Sequence, residues 1–126
     1  MEVPSDRRYS KEHEWALVQD DGTILVGITE FAQDELGDVV FVELPTAGSS
    51  VAQHAQMGEI ESVKAVSELF SPVSGEILET NSQVETQPDL VNTSPYNDGW
   101  LVKIKPSDTT EVESLLDPDQ YGKLIS

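Results

Sequence analysis

Turn-forming residues interrupt the apolar runs of this chain so often that no long helix has room to form. Thr23-Ile-Leu-Val-Gly-Ile28 follows Asp20-Asp-Gly22, and Asp38-Val-Val-Phe-Val-Glu-Leu44 lies between Gly37 and Pro45. Glu76-Ile-Leu-Glu-Thr80 follows Pro72 and Gly75, while Trp100-Leu-Val-Lys-Ile-Lys105 follows the turn-rich Ser94-Pro-Tyr-Asn-Asp-Gly99. Each run is short, rich in β-branched or aromatic residues and bounded by turn chemistry, so each reads as a strand. His13-Glu-Trp-Ala-Leu-Val-Gln19 reads the same way. A β-rich domain is therefore expected.

Helices fit only between these runs and at the end. Thr29 is a good N-cap for a helix through Leu36, with Glu30 in its first turn and Gly37 as its stop. Asp108 or Thr109 begins an amphipathic stretch through Leu116, and Asp117-Pro118 caps another to Leu124. Residues 1–8 read as a loose lead-in, and 81–89 as a polar connection with Pro88 suited to open a helical turn. One stretch pulls the other way. Met57, Ile60, Val63, Val66 and Phe70 recur at three- and four-residue spacing, and no Gly, Pro, Asn or Asp marks a hairpin between Glu59 and Phe70. Periodicity alone makes residues 57–70 an amphipathic helix.

That stretch also holds an isolated cation. Lys64 is the only Lys or Arg between Lys11 and Lys103, set among Glu59, Glu61 and Glu68 in a chain with 24 acidic and seven basic residues. The net charge of −17 repels phosphate backbones and anionic membranes, so neither nucleic acid nor membrane is an expected partner; it favours a soluble monomer that meets basic protein surfaces. No cysteine is present, which removes thiolate catalysis, disulfides and Cys-based metal sites. The N-terminus has no secretory pattern and no run is long enough to span a bilayer, so a cytoplasmic protein is expected.

Other candidates for chemistry are weak. His13 and His54 lack metal-ligand spacing, and His13 reads as a strand-surface residue beside Trp15. Asp117-Pro-Asp-Gln-Tyr-Gly122 falls short of a calcium loop because Tyr121 takes a ligand position. The sequon Asn92-Thr-Ser94 reads as chance. No nucleophile–base set converges in sequence, so an enzyme with its own active site is not expected.

A set of ordered motifs gives Lys64 a role. His13-Glu-Trp15, Gly27-Ile-Thr-Glu-Phe-Ala-Gln-Asp-Glu-Leu-Gly-Asp38, Val40-Phe-Val-Glu-Leu-Pro45, Gly58-Glu-Ile-Glu-Ser-Val-Lys-Ala65, Ser71-Pro-Val-Ser-Gly75, Leu90-Val-Asn-Thr-Ser-Pro-Tyr96 and Gly99-Trp100 follow one another in order. Together they resemble the H protein of the glycine cleavage system over about residues 9–125. Glu61-Ser-Val-Lys-Ala65 resembles the lipoylated form of the carrier motif; biotin carriers have methionine on both sides of the lysine, where this chain has Val63 and Ala65.

The resemblance implies a single lipoyl-carrier domain, mostly β with short helices. Its fold would be a barrel-sandwich hybrid of two small antiparallel sheets with a C-terminal helical segment over 108–125. It implies lipoate joined covalently to Lys64 at the tip of a tight β-hairpin, against the helical periodicity. Glu61, Ser62, Val63 and Ala65 would be read by a lipoate ligase or a lipoyl/octanoyl transferase. The implied role is to shuttle the aminomethyl group of glycine from a glycine decarboxylase, the P protein, to a tetrahydrofolate-dependent aminomethyltransferase, the T protein. Reoxidation by dihydrolipoyl dehydrogenase, the L protein, would follow. A relay that donates lipoyl groups to other carriers is the alternative, since the same lysine serves both. The family shelters its arm in a cleft, where Glu14 and Glu68 match its acidic residues. Glu12 stands where some members have serine, and Glu35 where some have histidine, so both add negative charge here.

Overall fold

The computed structural model describes residues 1–126. Nine strands divide into two antiparallel sheets. The larger takes β1 (Arg8–Tyr9), β2 (Glu14–Val18), β3 (Ile24–Ile28), β5 (Ser50–Val51), β8 (Gly75–Thr80) and β9 (Val102–Pro106), in the spatial order β1-β2-β3-β9-β8-β5. The smaller takes β4 (Val39–Glu43), β6 (Gln56–Ser62) and β7 (Val66–Phe70), in the order β4-β6-β7. Ile24, Val26, Ile77 and Ile104 from the larger sheet join Val39, Val42, Ile60 and Leu69 from the smaller in one buried cluster. A sheet must bury one face, and here each sheet buries its face against the other. No helix is long and apolar enough to cross a membrane.

The turn residues act as their chemistry requires. Thr29 accepts from the Ala32 N–H at the start of α1 (Glu30–Leu36), and Gly37 ends that helix at φ 78. Asp117 and Gln120 form a reciprocal capping box on α5 (Pro118–Leu124). The expected helix through Leu116 shrinks to a single turn, Thr110–Glu113.

Three expectations are corrected. Residues 57–70 form the hairpin that the resemblance implies, not the helix of the periodicity: β6 and β7 pair from Gln56↔Phe70 to Glu61↔Val66. Their helix-like spacing arises because a bulge between Gln56 and Gly58 shifts the alternation, burying Met57 together with Ile60, while Val63 in the turn and Val66 just past it lie in solvent. The lead-in is not loose at its end. The Arg7 guanidinium stacks over Trp15 at 4.7 Å and donates to the Tyr96 carbonyl, and Arg8 pairs with Ala16 in the sheet. The connection over 81–89 contains a helix, Ser82–Thr86, capped by Asn81 and anchored by buried Val84. One apolar residue in a polar run leaves no periodicity to read.

Candidate functional site

A two-residue hairpin ordinarily needs positive φ, and hence Gly, Asn or Asp. The Val63–Lys64 turn between β6 and β7 has no residue with positive φ. Ser62 supplies what the turn residues would have supplied. Its hydroxyl accepts from the N–H groups of Lys64 (3.3 Å) and Ala65 (3.1 Å) and donates to the Ala65 carbonyl (3.2 Å). The Ser62 N–H also donates to the Ala65 carbonyl at 2.8 Å. A serine hydroxyl thus stands in for a turn carbonyl. Ser62 is the sequence signal that a search for Gly or Asn passes over.

The tip is braced from beside. The Val63 N–H donates to the Asp38 carbonyl at 3.0 Å, which ties the turn to the junction between α1 and β4. The Lys64 side chain lies across Gly37; a Cβ there would meet Lys64 Cε at 3.3 Å, and φ 78 is already in the left-handed region. Asn92, read in the sequence as part of a chance sequon, holds this junction. Its amide donates to the Gly37 carbonyl (2.9 Å) and Gln33 Oε1 (3.0 Å), and its oxygen accepts from the Val39 N–H (2.8 Å). An asparagine can meet all three demands because it carries donor and acceptor together.

Next to the tip lies a cleft of about 400 Å³. Phe31, Ala32, Glu35 and Leu36 of α1 line it, as do Ala65 at the end of the turn and Val66, Ser67 and Glu68 of β7. Ile28, Ile60 and Glu14 line it from the strands, and Glu12 and His13 complete it. The structure therefore gathers all four carboxylates singled out in the sequence, Glu12, Glu14, Glu35 and Glu68, in one cavity. Ala65 lines it too, and Lys64 adjoins it through Ala65. Glu61 faces away on the outer side of the small sheet, directly opposite Phe41 and Val66. A second hollow of about 430 Å³ shares Glu12 but is lined by Lys11, His54 and Leu116, and no hairpin-tip residue reaches it.

The carboxylates are not equivalent. Glu12, Glu35 and Glu68 are exposed, whereas Glu14 is 2% exposed. Burial pushes the Glu14 carboxyl from its ordinary 4.5 up to about 8, against the Ser10 hydrogen bond (2.5 Å) and the Phe70 N–H, which favour the ionised form; the charge of Glu12 adds to the rise. At neutral pH this acid holds its proton.

His13 is not the strand-surface residue the sequence suggests. It takes φ 73 just before β2, and its ring packs against Phe31 at 4.8 Å. Its Nδ1 meets the Tyr121 hydroxyl at 2.9 Å, and that hydroxyl meets Thr29, the N-cap of α1, at 2.7 Å. Burial lowers the His13 pKa, with Glu12 and Glu35 opposing. Alternation would put Glu12 and Glu14 on one face and His13 on the other; the turn at His13 brings all three to the one cavity. The same bonds fasten α5 to the start of α1.

A model of the glycine cleavage H-protein matches residues 7–126. The chain belongs to that family. It is 53% identical over 126 residues to a probable glycine cleavage system H protein of Natronomonas pharaonis, covering 100% of this chain and 98% of the relative. It is 46% identical over 125 residues to the glycine cleavage system H protein of Alkalilimnicola ehrlichii, covering 99% of this chain and 96% of the relative. Among solved structures, the crystal structure of a glycine cleavage system H protein from Mycobacterium marinum superposes with a TM-score of 0.89. It is 40% identical and covers 96% of this chain and 97% of that one. The two antiparallel sheets with short helices agree with that neighbour.

Proposed function

We propose that Lys64 carries covalent lipoate and that the chain works as the lipoyl carrier of a glycine cleavage system. The observation that carries this reading is the exposed lysine at a braced hairpin tip beside a cleft of mixed apolar and acidic lining. Attachment needs only the side-chain amine. Lys64 Nζ displaces the carrier of an activated lipoyl acyl group, such as an acyl adenylate. A C–N amide bond forms, the acyl–oxygen bond breaks, and Nζ gives up a proton. A long, flexible stem at a rigid turn suits both attachment and reach.

The residues present fit such a group. Ile28, Phe31, Leu36, Ile60 and Val66 offer apolar surface to a methylene chain and its ring. When bound, lipoate supplies the redox-active disulfide on which the one-carbon cargo travels. The protein's part is to hold, orient and shield. Ser62, Asp38 and Gly37 fix where the arm begins. The apolar wall excludes water, and Glu12, Glu35 and Glu68 attract a cationic amine towards the cleft. Glu14 rests neutral, and a positive charge arriving beside it lowers its pKa and draws off its proton. The buried acid thus becomes a counter-ion only when there is a cation to pair with.

Partners on this reading are the glycine decarboxylase, the aminomethyltransferase, dihydrolipoyl dehydrogenase and a lipoate-attaching enzyme. Intact mass after co-expression with a lipoate ligase tests the assignment: the wild type gains one lipoyl group and Lys64→Arg gains none, with both melting alike. An unloaded wild type, or a loaded Lys64→Arg, refutes it. Glycine–bicarbonate exchange with decarboxylase then separates the shuttle from a lipoyl relay, since a relay would be inert.

A further inference from the structure

The outer face of the small sheet opposes like charges in a way the large sheet avoids. Directly paired residues share a face. In the large sheet, exposed Glu76 pairs with Lys105 and exposed Glu79 with Lys103. In the small sheet, Glu43 pairs with Glu59 and Glu59 with Glu68, which puts three carboxylates in one row across β4, β6 and β7. No Lys or Arg lies within 4 Å of any of them, since the two ion pairs of the molecule are Arg7–Asp6 and His54–Glu12. Like charges directly opposite each other destabilise a sheet.

The neighbouring row is apolar at both ends. Phe41 and Val66 flank Glu61, and Phe41 is 52% exposed. Strand β4 should alternate, but a register shift between Val39 and Phe41 turns both Val40 and Phe41 to solvent. Val63, 69% exposed at the tip, adjoins Lys64 itself. Bulges and charges on an edge strand do guard against strand pairing. That purpose calls for charge at the edge, however, not for Phe41, Val40 and Val63 turned outward. A rim of carboxylates around an apolar centre is the arrangement of a protein-binding surface.

We infer that this face, centred on Phe41 and Val63 and rimmed by Glu43, Glu59 and Glu61, docks the enzyme that attaches lipoate to Lys64, through an apolar contact ringed by Lys or Arg. It rests on the reading of Lys64 given above. The occupant follows from charge complementarity and reach. A surface of this charge rejects acidic partners. An enzyme acting on the bare lysine must also come up to the tip, whereas one acting on a loaded arm stands off by the arm's length.

The test is the rate of lipoylation by an ATP-dependent lipoate ligase, followed by intact mass on the full chain. Glu43→Gln/Glu59→Gln should load with kcat/KM reduced roughly tenfold at low salt, and the difference should shrink as salt rises. Its melting temperature should hold or increase, because a repulsive pair has gone. Phe41→Ser should lose a similar factor that salt does not restore. Glu76→Gln and Val18→Ser, on the large sheet, should load like the wild type. A wild type loaded at Lys64 together with face variants that load equally well overturns the docking surface and leaves the lysine assignment intact. A wild type that is never loaded overturns both. Wild-type dimers that Phe41→Ser dissociates would make the face a self-interface instead.

Discussion

Replacing Glu14 with glutamine should remove a pH dependence that one buried carboxyl imposes on the whole fold. The folded chain holds the Glu14 proton to about pH 8, where an unfolded chain releases it near 4.5. Between those values the folded state binds one proton more, so stability falls as pH rises. The slope approaches about 1.4 kcal/mol per pH unit in mid-window and fades towards either end. From about pH 5 to about pH 8 the loss therefore integrates to roughly 3.5 kcal/mol, a large share of a small domain's stability. The chain's net charge of −17 also bears on its stability as pH changes, so the wild-type curve alone decides nothing. The difference between wild type and Glu14→Gln isolates the effect. Glutamine stays neutral throughout and keeps an acceptor for Ser10 or Phe70. Urea unfolding of both proteins, followed by tryptophan fluorescence across this range, gives the difference directly. Glu14→Gln should gain on the wild type steadily with pH. A difference that is flat, or that moves towards the wild type, refutes the argument that burial governs this carboxyl.

Two local perturbations follow from the same geometry. Ser62→Ala strips the acceptor from the Lys64 and Ala65 N–H groups, and water at the exposed tip replaces it only in part. The loss should be about 1 kcal/mol, or roughly 3–5 °C by calorimetry, with slower lipoylation by mass spectrometry, and Ser62→Thr should restore most of both. Gly27→Ala places a Cβ 2.5 Å from Cζ2 of the fully buried Trp15. It should cost about 1–3 kcal/mol or more in a urea titration, with a changed Trp15 near-UV signal, because neither the ring nor the strand can yield.

The isolated lysine and most of the strand pattern were legible in one dimension because they rest on local chemistry. Turn residues set the strand ends, Thr29 and Gly37 bounded α1 correctly, and Lys64 stood out as a cation among carboxylates. The hairpin at residues 57–70 was not legible from the residues themselves. A serine replaced the usual turn signal, and a bulge gave two strands the spacing of a helix; only the resemblance argued for the hairpin. The bracing role of Asn92 was not legible for a related reason, since its three partners lie 53 to 59 residues away.

Sequence alone set one lysine apart, since Lys64 is the only Lys or Arg between Lys11 and Lys103 in a strongly acidic chain, a matter of composition and order. Tertiary structure decided everything that depends on what faces what. Glu12, Glu14, Glu35 and Glu68 have the same chemistry and four environments decided by folding. Only Glu14 is buried, and burial raises its pKa to about 8. Register likewise pairs Glu76 with Lys105 in one sheet and Glu43 with Glu59 in the other. A carboxylate's charge and usefulness depend on dielectric and neighbours within a few ångströms, and both are set by contacts between segments far apart in the chain.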